Sequence, residues 1–383
     1  DVGGGEGAVV GGVGIVLLRR DDDPRGRTEE AFPRGIFGGF FAVDKRGKRG
    51  RRPFDKNHFR FRGVVFVFHT GRGDHRALFQ LVGNGIVHLD VAENSLQLGK
   101  RDAAGAKQAR LVADELCEAF AGQKGFARDP IVFVSRKSAK SSELCMCYPD
   151  GQDIRQLTAD AQAVVGPRWK DKHTVFYTGF LNGGPQIWEQ NVITGKRKSV
   201  WSFKGLSTGA VLSPDGKRVA IILSFQGNPE LYVLQDGNYV RMTNTPYDVE
   251  GQPTWSPDGK KIAFVRGDKT QQIWVIDVAT KQERRLTSRS RQNIDPDWGK
   301  DGRIVYISNG GQIMVMEPAT GDASAQAVTT TGGWKHPSWA RDGRHVVAGS
   351  GKSLFLVDTL KDGDKPRAVF TANGDWISPC WAK

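Results

Sequence analysis

No apolar run in this sequence approaches the roughly 18 residues needed to cross a bilayer as a helix, so a transmembrane helix is excluded. Cysteine is scarce, with only Cys117, Cys145, Cys147 and Cys380 in 383 residues. None has zinc spacing, because Cys145-x-Cys147 lacks a second cysteine pair or a histidine pair at a suitable distance. On a strand, Cys145 and Cys147 would share one face two residues apart, a poor disulfide geometry. The even count is compatible with an oxidising compartment without establishing one. The 7 histidines are scattered. No metal and no cofactor are expected. Tryptophan is absent from the first 93 residues, and all ten lie at or after Trp169.

What is abundant points elsewhere. Glycine is high at 48 and tryptophan at 10, which together favour a turn-rich β protein. Hydrophobic residues at 38% and charged residues at 25% describe a soluble globular chain of two or three domains. The net charge of +13 raises nucleic acid or an anionic membrane surface as partners. After residue 93, however, charges of both signs alternate along the chain, which reads as a solvated surface. No nucleic acid and no membrane insertion are expected.

Residues 1–93 differ in kind from the rest. They hold 13 arginines against 3 lysines and 18 glycines with no period. Val64 to Phe68 reads as a strand, and Ala77 to Asp90 as one or two more. Ala8 to Leu18 has the length of a signal-peptide core, but the charges flanking it are in reverse order. Arg72-Gly73-Asp74 is a chance-level adhesion tripeptide. The composition break predicts that 1–93 is an atypical region, disordered or mistranslated. Within 94–129, Ala109, Val112, Ala113, Leu116, Cys117 and Phe120 recur at helical spacing, which predicts a helix over Lys107 to Ala121 with Cys117 on its apolar face. That segment reads as the helical remnant of an N-terminal α/β domain.

From residue 130 to 383 a repeat dominates. One unit runs Gln252-Pro253-Thr254-Trp255-Ser256-Pro257-Asp258-Gly259-Lys260, then Ile262 to Val265, Ile273 to Asp277 and Arg285-Leu286-Thr287. Its Pro-x-Trp phrase returns at Trp169, Trp298, Trp339 and Trp381, and in degenerate form at Leu212, with intervals of 43, 43, 43, 41 and 42. In the Ser-Pro-Asp-Gly turn, proline sets φ, aspartate bonds the local backbone and glycine accepts positive φ. Four short strands per unit, the last ending in Leu-Thr, are the pattern of a β-propeller blade. The first unit, from Ile131 to Thr158, lacks Pro-x-Trp, and the last Pro-x-Trp, Pro379 to Trp381, has no strands after it. Joining the two gives six blades. The fold class expected is therefore mainly β: a six-bladed β-propeller closed by strand exchange between its N- and C-terminal parts, with no free sheet edge at the seam.

Enzyme signatures do not survive their context. Gly205-Leu206-Ser207-Thr208-Gly209 matches Gly-x-Ser-x-Gly, but that motif must join a strand to a helix in an α/β-hydrolase sheet, and here it falls between blades. The aspartates of the Pro-Asp-Gly turns read as turn caps. No catalytic residue is assigned.

The repeat Pro-x-Trp-Ser-Pro-Asp-Gly-Lys-x-Ile-Ala-Phe, with its Arg-x-Leu-Thr ending, resembles the WD40-like repeat of the TolB family over about Ser95 to Lys383. The resemblance implies a periplasmic scaffold of the Tol-Pal system. Such a protein binds the peptidoglycan-associated lipoprotein, supports outer-membrane integrity and constriction at division, and is a docking point for some colicins. Other Tol proteins are further partners it implies. Residues 1–93 carry no counterpart of the family's TolA-binding segment. The family's lipoprotein sits over one mouth of the propeller, on the loops that lead into each first strand. Here those loops hold Leu206, Ser207, Thr208 and Gly209; Glu250, Gly251 and Gln252; Asn293 and Asp295; Lys335 and His336; and Asp375. Aromatic surface is expected around Trp334 and Trp376. Related propellers cap peptidases, so the alternative is an accessory or gating module of a prolyl-oligopeptidase-type hydrolase that lacks its catalytic domain.

Overall fold

The computed structural model describes residues 103–382, apart from residues 122–123, 139, 182, 225–226, 268, 361–365 and 372–374. Before residue 103 it describes only the backbone of short strands. Among these, Val65–Phe66, Leu78–Val82, Gly85–Asp90 and Ser95–Leu98 form an antiparallel sheet in chain order, the first three at the places the β-rich runs predict. The charge-flanked apolar run and Arg72-Gly73-Asp74 lie outside the described residues.

The chain divides into two units, Asp1–Arg128 and Asp129–Lys383. In the first, helix α1 spans Ala103–Ala121 and starts four residues earlier than its apolar periodicity suggests. Ala106, Ala109, Ala113 and Cys117 are buried along one face. Asp114 is buried too, because its carboxylate accepts the amides of Ala127 and Arg128 and the Arg128 guanidinium at 2.7–3.2 Å.

The second unit consists of six four-stranded antiparallel sheets. Blade 2 holds Val164–Asp171, Thr174–Gly179, Gln186–Asn191 and Arg197–Trp201. Blade 3 holds Ser207–Leu212, Arg218–Leu223, Glu230–Gln235 and Asn238–Arg241, and blade 4 Val249–Trp255, Lys261–Arg266, Gln272–Asp277 and Glu283–Arg285. Blade 5 holds Asn293–Trp298, Ile304–Ser308, Gln312–Met316 and Gln326–Ala327, and blade 6 Trp334–Trp339, His345–Ser350, Ser353–Asp358 and Arg367–Thr371. Blade 1 takes Ile131–Arg136, Ser142–Cys147 and Arg155–Gln156 from one end and Asp375–Trp381 from the other. Asp375 pairs with Arg136 and Trp381 with Ile131, so the ring closes by the strand exchange expected from the sequence.

Each motif of the repeat has a physical role. In the Ser-Pro-Asp-Gly turn of blade 4, Gly259 N–H donates to the Ser256 carbonyl, and the Ser256 hydroxyl donates to Asp258 at 2.6 Å. The Asp258 carboxylate also accepts the Lys260 amide, and these bonds hold it below the usual carboxylate range. In blades 2 and 4 the tryptophan of Pro-x-Trp joins the preceding blade. Trp255 Nε1 donates to the Val211 carbonyl of blade 3 at 3.1 Å, and Trp169 Nε1 to the Cys380 carbonyl of blade 1 at 3.1 Å. The middle residue joins blades as well. Thr254, Asp297 and Ser338 accept the backbone N–H of Trp298, Trp339 and Trp381 in the next blade at 2.8–3.1 Å.

The Leu-Thr pair follows the fourth strand instead of ending it, because both residues turn inward to the third. Leu286 N–H donates to the Ile273 carbonyl at 2.8 Å, and Thr287 Oγ1 accepts the Ile273 amide at 2.9 Å. In blades 1 and 3 a buried glutamate at the head of the third strand completes the lock. Glu143 accepts the Thr158 hydroxyl at 2.5 Å and the Ala161 amide, and Glu230 accepts the Thr243 hydroxyl, the Thr245 amide and Arg241. All four cysteines are buried.

Candidate functional site

Every first strand carries an irregularity at the same place. Register with the second strand shifts after Val165, Thr208, Glu250, Ile294, Lys335 and Ile377. At each shift the chain passes through a left-handed residue: Gly166 (φ 60°), Gly209 (69°), Gly251 (76°), Asp295 (53°), His336 (49°) and Ser378 (49°). These are β-bulges, which re-aim side chains and backbone groups at the rim of a sheet. They sit where the chain enters each first strand and so ring one mouth of the propeller.

The ring is not uniform. Blades 2, 3 and 4 use glycine, which adopts positive φ freely. Blades 5, 6 and 1 place Asp295, His336 and Ser378 there, at a cost of about 1 kcal/mol each. The bulge itself does not need these side chains, since glycine serves in the other three blades.

Asp295 and His336 meet across the boundary of blades 5 and 6. One carboxylate oxygen, Oδ2, accepts the His336 backbone N–H at 3.2 Å and lies 3.0 Å from His336 Nδ1. Burial alone would raise the Asp295 pKa, but the charge and hydrogen bonds of His336, with Arg168 of blade 2, hold it below the usual carboxylate range.

The other sequence-derived positions divide by exposure. Lys335 is exposed, and Asp375 forms an ion pair with Arg136 at 3.5 Å. Leu206 is half-buried, with its amide donating to Ser224 Oγ at 2.7 Å. Thr208 accepts from Thr178 Oγ1 at 3.3 Å. Ser207 is 0% exposed and opens the first strand of blade 3. No strand-to-helix elbow is formed there, so the Gly-x-Ser-x-Gly match has no catalytic geometry. Asn293 is 2% exposed and donates to Gln272 Oε1 at 3.0 Å. Glu250 and Gln252 flank the bulge at Gly251.

The expected aromatic surface at Trp334 is not there. Trp334 is buried and packs edge-on against Phe355, with ring centroids 5.4 Å apart. Trp376 is half-buried and lies edge-on to Phe133 at 5.1 Å. Both positions fall on strands that alternate inward, and the loop reading overlooked this. Beside the mouth, a cavity of about 520 Å3 opens between blades 2 and 3, lined by Gly183, Gly184, Pro185, Gln186, Ser202, Phe203, Gly205 and Leu206. Among the described residues, no group of three or more His, Cys, Asp or Glu side chains is placed to hold a metal.

The family model for the TolB beta propeller domain matches residues 117–383. The chain belongs to the TolB β-propeller family. Two curated relatives, each named Protein TolB homolog, come from Chlorobium chlorochromatii (strain CaD3) and Chlorobium luteolum (strain DSM 273 / BCRC 81028 / 2530). They are 31% identical over 182 residues and 28% identical over 194 residues, covering 46% and 49% of this chain. Those alignments take in 41% and 44% of the relatives, so the chain spans less than half the length of either. The crystal structure of TolB from Acinetobacter baumannii is similar at a TM-score of 0.65 and 25% identity, over 79% of this chain and 81% of that one. Similarity to TolB thus covers the propeller and the mouth just described.

Proposed function

We propose that this chain is a non-enzymatic periplasmic scaffold of the Tol-Pal system that binds the peptidoglycan-associated lipoprotein over the bulge-ringed mouth. It thereby supports outer-membrane integrity and constriction at division. The ring of left-handed residues carries this reading. Three neighbouring blades keep Asp295, His336 and Ser378 in a conformation that the other three give to glycine. A strained backbone that the fold does not require is a mark of a functional surface. Membership of the TolB propeller family favours this partner.

Contacts are assigned to Leu206, Thr208, Glu250, Gly251, Gln252, Asp295, Lys335, His336 and Asp375. Ser207, Gly209 and Asn293 act from beneath by fixing the strand starts, since all three are buried. Loops on a rigid scaffold are the usual seat of recognition.

Titration calorimetry with the soluble domain of the lipoprotein tests the proposal. Binding at micromolar affinity or tighter is expected. The double variant Asp295→Gly/His336→Gly, which restores glycine at two bulges, should weaken it about tenfold or more, the loss of one good contact of about 1.4 kcal/mol. Absence of binding by the unaltered chain would refute the reading.

A further inference from the structure

We propose that the cavity between blades 2 and 3 receives one uncharged aromatic side chain presented by the protein docked on the mouth. This rests on the scaffold reading above and adds the chemistry of a partner contact to it.

The lining states what fits. None of its eight residues carries an ionisable side chain. A charged group entering there would lose water without gaining a counter-charge. Pro185, Phe203 and Leu206 supply apolar wall. Gln186 and Ser202 supply a polar edge, with Gln186 Nε2 donating to Ser202 Oγ at 3.1 Å. An apolar body with a polar tip describes tyrosine or tryptophan, the side chains that most often anchor interfaces.

The wall is braced. Phe203 packs edge-on against Tyr239, with centroids 5.1 Å apart and planes at 89°, and the Leu206 amide is tied to Ser224. A braced wall offers a preformed surface at little ordering cost.

Gly184 is the lining position best suited to a test. Gly183 and Gly205 have backbone reasons to be glycine, with φ of +80° and +93°, and at 205 a Cβ would also lie 2.6 Å from Ser224 Oγ. Gly184 has neither reason. Its φ is outside the left-handed region, and a Cβ there would meet nothing within 4 Å. A side chain can therefore be added at 184 without a clash at its Cβ.

Gly184→Phe therefore adds an aromatic ring to the cavity lining without a clash at its Cβ. With the soluble domain of the lipoprotein, it should weaken binding about 30-fold or more, as loss of a hot-spot contact does. Gly184→Ala should stay within about threefold. Ser202→Trp, at another lining position, repeats the test should Gly184→Phe melt early. If the unaltered chain binds and both filling variants bind within about threefold of it, the cavity proposal is wrong while the scaffold reading stands.

A second arm needs no partner. Saturation-transfer NMR with N-acetyl-tryptophanamide should show binding to the unaltered chain that Gly184→Phe abolishes. N-acetyl-lysinamide should show none. No transfer to the tryptophan probe, or equal transfer to both probes, overturns the proposal even if the lipoprotein does not bind.

Discussion

Blade 4 and blade 1 have the same four-strand pattern but different origins. Blade 4 folds from consecutive hairpins, Val249–Trp255 through Glu283–Arg285. Blade 1 has its innermost strand delivered from residue 375 onward, more than two hundred residues after the strand it pairs with. At that seam, bonds that other blades make within one stretch of chain tie the two ends together. Trp381 Nε1 donates to the Asp129 carbonyl at 3.0 Å, Trp381 N–H to Ser338 Oγ at 3.1 Å, and Ala382 N–H to the Pro130 carbonyl at 3.0 Å. Arg341 of blade 6 forms an ion pair with Asp129 at 2.5 Å. The difference teaches that closure is a long-range pairing whose entropic cost is offset by local anchors on both sides of the seam.

Removing the closing strand is the most damaging way to break the comparison. Deletion of Asp375 to Lys383 exposes the edge of Ile131–Arg136 and removes a tryptophan that is 1% exposed. The expected loss in urea unfolding is several kcal/mol, of which Trp381 alone accounts for about 3–5. An unchanged midpoint would mean that the ring does not depend on its seam.

Trp255→Ala and Trp381→Ala sharpen it. Both indoles are buried and both donate a hydrogen bond. Each should cost about 3–5 kcal/mol, and a marked inequality would show that the seam is energetically special beyond its packing.

The next effect compares the carboxylate locks. Glu230→Ala strips a buried carboxylate from Thr243, Thr245 and Arg241, leaving polar groups unpaired at about 2–3 kcal/mol. Blade 4 uses an uncharged residue there, Gln272, which accepts the Thr287 hydroxyl at 2.8 Å. Glu230→Gln should recover much of the loss by thermal melting.

Blade 6 gives the pH dependence. Burial alone would raise the Asp342 pKa, but the hydrogen bond and charge of His345 and the amides of His345 and Arg344 lower it overall. A carboxyl lowered on folding stabilises above its unfolded pKa, and that stability is lost as pH falls through the folded value. Melting temperature should therefore drop below about pH 4, the ordinary aspartate range. Asp342→Asn should flatten part of that drop. A variant with the full acid slope would remove Asp342 from the account.

Much of this fold was legible because it is repetitive. A 41- to 43-residue recurrence of Pro-x-Trp, with orphan halves at residues 131 and 379, gave blade number and closure together. The mouth was legible only in part. A bulge occupied by Gly166, Gly209 and Gly251 is readable as glycine before a strand. The same backbone under Asp295, His336 and Ser378 is not, because nothing in those side chains announces a left-handed φ. Their shared position beside Pro296, Pro337 and Pro379, a column with Gly166-Pro167, was the available signal. Trp334 was placed on the surface because the reading treated strand starts as loops. The cavity is not legible in the sequence, because Gly183–Gln186 and Ser202–Leu206 come together only when Gln186–Asn191 pairs with Arg197–Trp201.

Amide hydrogen exchange on the full chain tests the central claim most directly. With the ring closed by its tail, the amides of Ile131–Arg136 should exchange as slowly as those of Lys261–Arg266 in blade 4. If they exchange as an exposed sheet edge does while blade 4 stays protected, the two ends are not paired and the closed propeller is contradicted.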